Sequence, residues 1–150
     1  ELGNNVKITK VASDKNYITG AEKGQPISGA KYEVRTDFDE NTEVTKDNFS
    51  NGKLVDTLVT DKNGNTKTIT VGKGTYYVKE VSVPDGWKLD EKVYKIEVIA
   101  NGITHKLELE DEPIPQGFFN IDKTALEKNY WTGDEPGTPL EVVNFELRYE

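Results

Sequence analysis

Apolar residues in this chain recur at every second position, and this two-residue period is the strongest constraint on its fold. Val6 and Ile8 alternate with Lys7 and Thr9, and Ala30, Tyr32 and Val34 with Lys31 and Glu33. Tyr94, Ile96 and Val98 share one face of 93–99. Successive side chains of a β-strand point to opposite faces, so such runs make strands with one face buried and one in water. Runs at 54–59, 66–71, 75–83 and 103–111 read in the same way. Turn-forming clusters separate them: Asp61-Lys62-Asn63-Gly64-Asn65, Pro84-Asp85-Gly86 and Asn101-Gly102. Asn-Gly between strands is a strong hairpin signal, because both residues tolerate positive φ. About seven short strands in roughly 110 residues predict an all-β, seven-stranded antiparallel sandwich. The polar segment 37–51 is expected to be a long loop or to carry a short helix.

A longer period sets the domain organisation. Sliding the chain by 113 positions aligns Ile8–Arg35 with Ile121–Arg148 without a gap, and 13 of the 28 positions are identical. Lys10/Lys123, Asn16/Asn129, Tyr17/Tyr130 and Pro26/Pro139 are among them. A fixed period signals tandem modules. The two prolines of Glu112-Pro113-Ile114-Pro115 read as a stiff linker between them. One complete module is therefore expected over 1–115. The N-terminal part of a second, truncated module, its first two strands, is expected over 116–150. The chain opens on Glu1-Leu2-Gly3 without a signal peptide, so it is expected to be a piece of something longer.

Composition removes several classes of function. The net charge is -8, which argues against binding a nucleic-acid backbone or an anionic membrane surface. No apolar run is long enough to span a bilayer as a helix. With no cysteine and a single histidine, His105, His/Cys zinc sites and Ser-His-Asp arrangements are close to ruled out. No cofactor and no metal is expected.

Three ionisable residues of the first module, and one lysine of the second, break the alternation. Lys10 lies on the parity of Val6 and Ile8, the face that should be buried. Lys123 follows Phe119 and Ile121 in the same way. Glu80 shares parity with Tyr76 and Val78, and Asp111 with Leu107 and Leu109. One cation and two carboxyls thus point into an apolar layer, where their charged forms are costly unless they pair or neutralise. On the residues alone, a buried Lys–Glu–Asp ion network accounts for this pattern.

Several motifs in order carry a resemblance. They are Ile8-Thr9-Lys10, the run Pro26–Val34 (PISGAKYEV), Thr60-Asp61-Lys62-Asn63-Gly64 and Gly74–Glu80 (GTYYVKE), then Pro84-Asp85-Gly86-Trp87 and Glu110-Asp111-Glu112-Pro113. Over about 5–113 the chain resembles the collagen-adhesin B-type (Cna B-type) domains of Gram-positive surface adhesins and pilins, and 117–150 resembles the opening of a second copy. The resemblance implies a prealbumin-like, Ig-like sandwich at the cell surface or cell wall. It also implies a spontaneous isopeptide bond, with Lys10 as nucleophile, Asp111 as acceptor and Glu80 as proton shuttle and polariser. Asn is the commoner acceptor in such domains. With Asp the leaving group is water instead of ammonia. Lys123 is the candidate lysine of the second module.

That chemistry needs a neutral amine and an uncharged carboxyl, which burial favours together. A bond from first strand to last would close a loop of about 100 residues and, by analogy with a disulfide of that span, add roughly 4–5 kcal/mol. The expected role is a self-crosslinked structural stalk module, not an enzyme beyond its single self-reaction. Its expected partners are neighbouring modules of the same protein. The alternative is a module whose loops at 38–51, or whose Trp87 end, contact host matrix protein or glycan. The Tyr-Pro-Lys context and sorting signal usual in such pilins do not occur in 1–150, so pilin and adhesin both remain open. Trp87 is expected to cover the sandwich end, and His105 to be packed or hydrogen-bonded. Asp61–Asn65 has the look of a calcium loop but lacks the acidic residue that would complete an EF-hand, and a turn explains it more simply.

Overall fold

The computed structural model describes residues 3–115, 131, 133 and 135–139. The chain divides into two units, Glu1–Pro115 and Gln116–Glu150. The first holds seven strands: β1 (Asn4–Ala12), β2 (Lys31–Thr36), β3 (Lys53–Val59), β4 (Ile69–Val71), β5 (Gly74–Ser82), β6 (Val93–Val98) and β7 (Thr104–Asp111). They form a three-stranded sheet, ordered β4-β1-β7, and a four-stranded sheet, ordered β3-β2-β5-β6. The alternation read from the sequence is the alternation of burial. Along β1 every second residue from Asn4 to Ala12 is buried. Val6, Ile8, Tyr32, Val34, Leu58, Val78, Ile96, Val98 and Leu109 fill the core between the sheets.

The sandwich stands as expected, and every strand pairing but one is antiparallel. The exception is β1 with β7, which run parallel from Asn5↔Thr104 to Ala12↔Asp111. A parallel pair cannot be closed by a tight turn and needs a long connection. Here the connection is the whole module, because the pair is the first strand and the last.

The Asn-Gly turns also differ from the hairpins predicted. Asn63-Gly64 lies between β3 and β4 and Asn101-Gly102 between β6 and β7, and in both cases the two strands belong to different sheets. The positive φ is present, 77° at Gly64 and 76° at Gly102, but it serves a crossing from sheet to sheet.

The 37–51 segment is a loop ending in a single 3-10 turn, Phe49–Asn51. Phe38 packs there against Phe49 and edge-on against Tyr77, with ring centroids 6.3 and 5.0 Å apart. A smaller apolar cluster of Ala12, Ile27 and Trp87, with Ala21 and Val83 against it, closes the end where β1 finishes. Trp87 is 6% exposed and bridges to Pro113, so it covers this end as the sequence suggested.

Candidate functional site

Parity and register bring Lys10, Glu80 and Asp111 to one point. Lys10 pairs with Leu109 and Ala12 with Asp111, so Lys10 and Asp111 are diagonal neighbours on the inner face of the same sheet. Glu80 comes from β5 in the facing sheet, where its cross-strand partner is Tyr32. Lys10 Nζ lies 2.7 Å from Asp111 Oδ1 and 3.4 Å from Glu80 Oε2, and all three side chains are 0% exposed. The amine also donates to the Glu110 carbonyl at 3.1 Å and stands 5.4 Å from the centre of the Tyr32 ring.

The backbone around Lys10 is held as firmly as its side chain. Its N–H donates to the Gly64 carbonyl at 2.8 Å, and its carbonyl accepts from the Ile27 N–H at 3.0 Å. A Cβ on Gly64 would come within 2.5 Å of the Lys10 carbonyl oxygen. The Asn-Gly turn therefore lets one loop press against the strand that carries the lysine.

The hydrogen bonding of the two carboxyls is lopsided. Glu80 Oε1 accepts from the Asp90 N–H at 3.0 Å. Glu80 Oε2 and both oxygens of Asp111 are buried without a hydrogen bond of good geometry. The short Lys10–Asp111 approach thus brings the groups together in distance but not in hydrogen-bonding angle. Burial pushes the Asp111 carboxyl up from 3.8 to about 7, against the pull of Lys10 and with the help of Glu80. With one proton retained on the carboxyls, a cluster of one cation and two acids is neutral overall, as burial favours. Chemically, an amine touching a carboxyl in such a site can remain an ion pair or condense to an amide.

Of the four residues singled out from the sequence, Lys10, Glu80 and Asp111 are brought together, and Lys123 lies outside the described residues. Four others were not foreseen. Tyr32 faces the amine and was visible only as one more inward aromatic. Gly64 was read as a hairpin glycine. Asp90 acts through its backbone, and Tyr94 Oη donates to Asp90 Oδ2 at 2.6 Å, neither of which alternation can show. The remaining candidates resolve simply. His105 is packed, with Nε2 buried and without a hydrogen-bond partner. Asp61 Oδ1 accepts from the N–H groups of Asn63 and Asn65 at 2.9 and 3.0 Å, so the calcium-like segment is a turn held by its own carboxylate. Among the described residues, no group of three or more His, Asp or Glu side chains is placed to hold a metal ion.

Comparison with known proteins places the chain in a family. The model of the SpaA prealbumin-like fold domain matches residues 4–113. The chain belongs to that family. Lys10, Glu80 and Asp111 all fall within the matched SpaA span, Lys10 and Asp111 close to its two ends. One relative, the trypsin-resistant surface T6 protein of Streptococcus pyogenes serotype M6, is 36% identical over 55 residues. Those residues cover 37% of this chain and 10% of that protein, so the chain spans a small part of its length.

Solved structures similar in fold include the Bacillus anthracis TIE protein, with TM-score 0.55 and 23% identity over 76% of this chain and 18% of that one. GBS52, the minor pilin of Streptococcus agalactiae, gives 0.54 and 15% over 80% of this chain and 48% of that one. The full-length major pilin SpaD from Corynebacterium diphtheriae gives 0.52 and 17% over 75% and 32%. At these identities the likeness is one of fold.

Proposed function

We propose that this SpaA-family domain is a structural stalk module of a Gram-positive surface pilin or adhesin, locked by an amide bond between Lys10 and Asp111. The observation that carries the proposal is the 2.7 Å approach of Lys10 Nζ to Asp111 Oδ1, with both groups and Glu80 fully buried. Family membership supports the stalk role and a place on the cell wall, since relatives are described as pilins and as a surface protein. Neighbouring modules of the same protein are its natural partners. We propose that 116–150 opens the next such module.

The reaction balances as ammonium plus carboxylate giving amide plus water. A proton first passes from the Lys10 amine to a carboxylate. The neutral amine then attacks Asp111 Cγ, an N–C bond forms and a C–O bond breaks. The carboxyl OH leaves with one amine proton as water. Glu80, facing the amine through Oε2, accepts that proton and returns it to the departing oxygen, ending unchanged. Contact in a packed core replaces a bimolecular encounter, which is the main source of rate. The product is also cheaper to bury, because two desolvated charges become one neutral amide. A pull between the termini would then run through a covalent link between the first and last strands.

Intact-mass spectrometry of the whole chain tests this reading. The expected mass is lower than the sequence mass by one water. A mass equal to the sequence mass would leave an unreacted ion network and sink the crosslink.

A further inference from the structure

The loop between β5 and β6 does more than connect them. Its Asp90 uses every polar group of its side chain to hold the loop in shape. Oδ1 accepts from the Lys92 N–H at 3.0 Å, and Oδ2 accepts from the Tyr94 hydroxyl at 2.6 Å. The latter length is that of a charge-assisted O–H···O⁻ bond. The backbone N–H of the same residue is left to face inward, where it donates to Glu80 Oε1. Two residues earlier, the Lys88 N–H donates to the Glu112 carbonyl at 2.9 Å, fastening the loop to the end of β7 beside Asp111. The loop therefore spans from one carboxyl of the site to the other. It borders an open cleft of about 450 Å³ that Asp111 and Tyr94 also line.

The consequence for Glu80 is specific. A carboxyl oxygen that accepts from a backbone N–H cannot carry the acid proton in that direction. With one lone pair of Oε1 held by Asp90, Oε2 is the oxygen better placed to take up and release a proton. Oε2 makes no other hydrogen bond of good geometry and is the oxygen 3.4 Å from Lys10 Nζ. Burial and the Asp90 carboxylate push the Tyr94 phenol above its ordinary range, so it remains a donor to Asp90.

We propose that Asp90 and Tyr94 are positioning residues for the crosslinking reaction, a clasp that presents the Glu80 backbone-bound oxygen outward and its free oxygen to the amine. The proposal rests on the crosslink reading and deepens it. Tyr94→Phe removes the hydroxyl that holds Asp90 but leaves the ring in its packing. Asp90→Ala removes both loop anchors. Asp90→Asn loses the charge and keeps one acceptor oxygen, enough for the Tyr94 hydroxyl but not also for the Lys92 N–H.

The test follows the full chain as it emerges from cell-free translation, sampled over time by intact mass. Tyr94→Phe and Asp90→Ala are expected to lose their water roughly ten- to a hundredfold more slowly than the unaltered chain, the scale set by misplacing a reacting group. Asp90→Asn is expected to recover part of the rate relative to Asp90→Ala, which a requirement for mere loop charge would not allow. A second readout works without the reaction. In Asp111→Ala, which cannot crosslink, the Asp90 amide proton resonance is expected downfield, moving upfield when Glu80→Gln or Tyr94→Phe is added. If both variants crosslink at the unaltered rate, or the amide resonance ignores Glu80→Gln, the clasp is overturned while the crosslink stands. If the unaltered chain itself never loses water, the crosslink reading falls and takes the clasp with it.

Discussion

The first unit contains ion pairs at two extremes of solvation. Lys95–Glu97 on β6 and Lys106–Glu108 on β7 are 2.9 and 3.2 Å apart, and each of these side chains is about half exposed or more. Lys10–Asp111 is 2.7 Å apart and wholly buried. The distances barely differ, but the medium does, and the same pair of charges interacts far more strongly out of water. At the surface, Glu97 raises the Lys95 pKa and Lys95 lowers that of Glu97, so each holds the other in its charged form. In the core, burial is the largest influence on Asp111 and outweighs the pull of Lys10. One residue chemistry thus yields stable ions outside and, inside, a carboxyl driven toward the protonated form that condensation needs.

Removing the buried cation is expected to have the largest effect. Lys10→Ala is expected to abolish the loss of water and to lower unfolding stability by about 4–5 kcal/mol, the value of closing a loop of about 100 residues. Denaturant titration at neutral pH measures it, and a stability matching the unaltered chain would show that no covalent closure existed. Asp111→Asn is the counterpart. It should keep most of the stability and shed ammonia in place of water, a difference that intact mass resolves.

Glu80→Gln tests the next largest effect. Glutamine retains the shape and can still accept from Asp90, but it cannot relay a proton. The bond is expected to form slower by about 10²–10⁴-fold, the usual contribution of a positioned acid–base group. Time-resolved intact mass after translation would show it, and an unchanged rate would remove Glu80 from the chemistry.

The pH dependence follows from Asp111. Its pKa in the fold is raised from 3.8 to about 7, so the protonated form persists well above the ordinary carboxyl range. The reacting pair of neutral amine and carboxylic acid holds the same number of protons as the ammonium and carboxylate. The crosslinking rate is therefore expected to rise with pH toward about 7, below which the acid still stands beside an ammonium, and to level off above it. The unreacted fold runs the other way in stability. Its share of stability from Asp111 is complete below 3.8 and is lost as pH rises through about 7, because the folded chain keeps a proton that the unfolded chain releases. A rate that falls through this window would show that the reactive state holds one more proton than that pair, with Glu80 entering as the acid.

What the sequence made legible follows from which effects burial imposes on residue type. Strands were readable because one wet face and one dry face force alternation, and Lys10, Glu80 and Asp111 stood out against it. Their meeting was not readable from alternation. Parity places each on an inner face but does not say that β1 neighbours β7, and the resemblance to Cna B-type domains supplied that step. The Asp90 N–H left no trace, because a backbone donor has no residue-type signature. The Asn-Gly turns gave the right φ and the wrong partner strands, since turn chemistry is local and strand pairing is not. Where local chemistry alone decides, the two halves of the repeat agree. The Gln25 N–H donates to the Glu22 carbonyl at 3.1 Å, and the Thr138 N–H to the Glu135 carbonyl at 3.0 Å. Gly24 and Gly137 sit at φ 84° and 85°. A positive-φ glycine in the third position is the type II pattern, which tolerates Lys23 becoming Pro136 because proline suits the second. This likeness supports the tandem-module proposal for 116–150.

The smallest expected effect sits at the other end of the comparison. Lys95→Ala removes a cation whose partner is as close as that of the buried amine, yet both groups remain in water on either side of the change. Water then solvates the freed Glu97 carboxylate, and the freedom regained by a long side chain offsets what the contact gave. No measurable change in melting temperature is expected, nor any change in the loss of water. A clear drop in melting temperature for Lys95→Ala would mean that distance, and not burial, governs these pairs, and the contrast drawn between core and surface would fail with it.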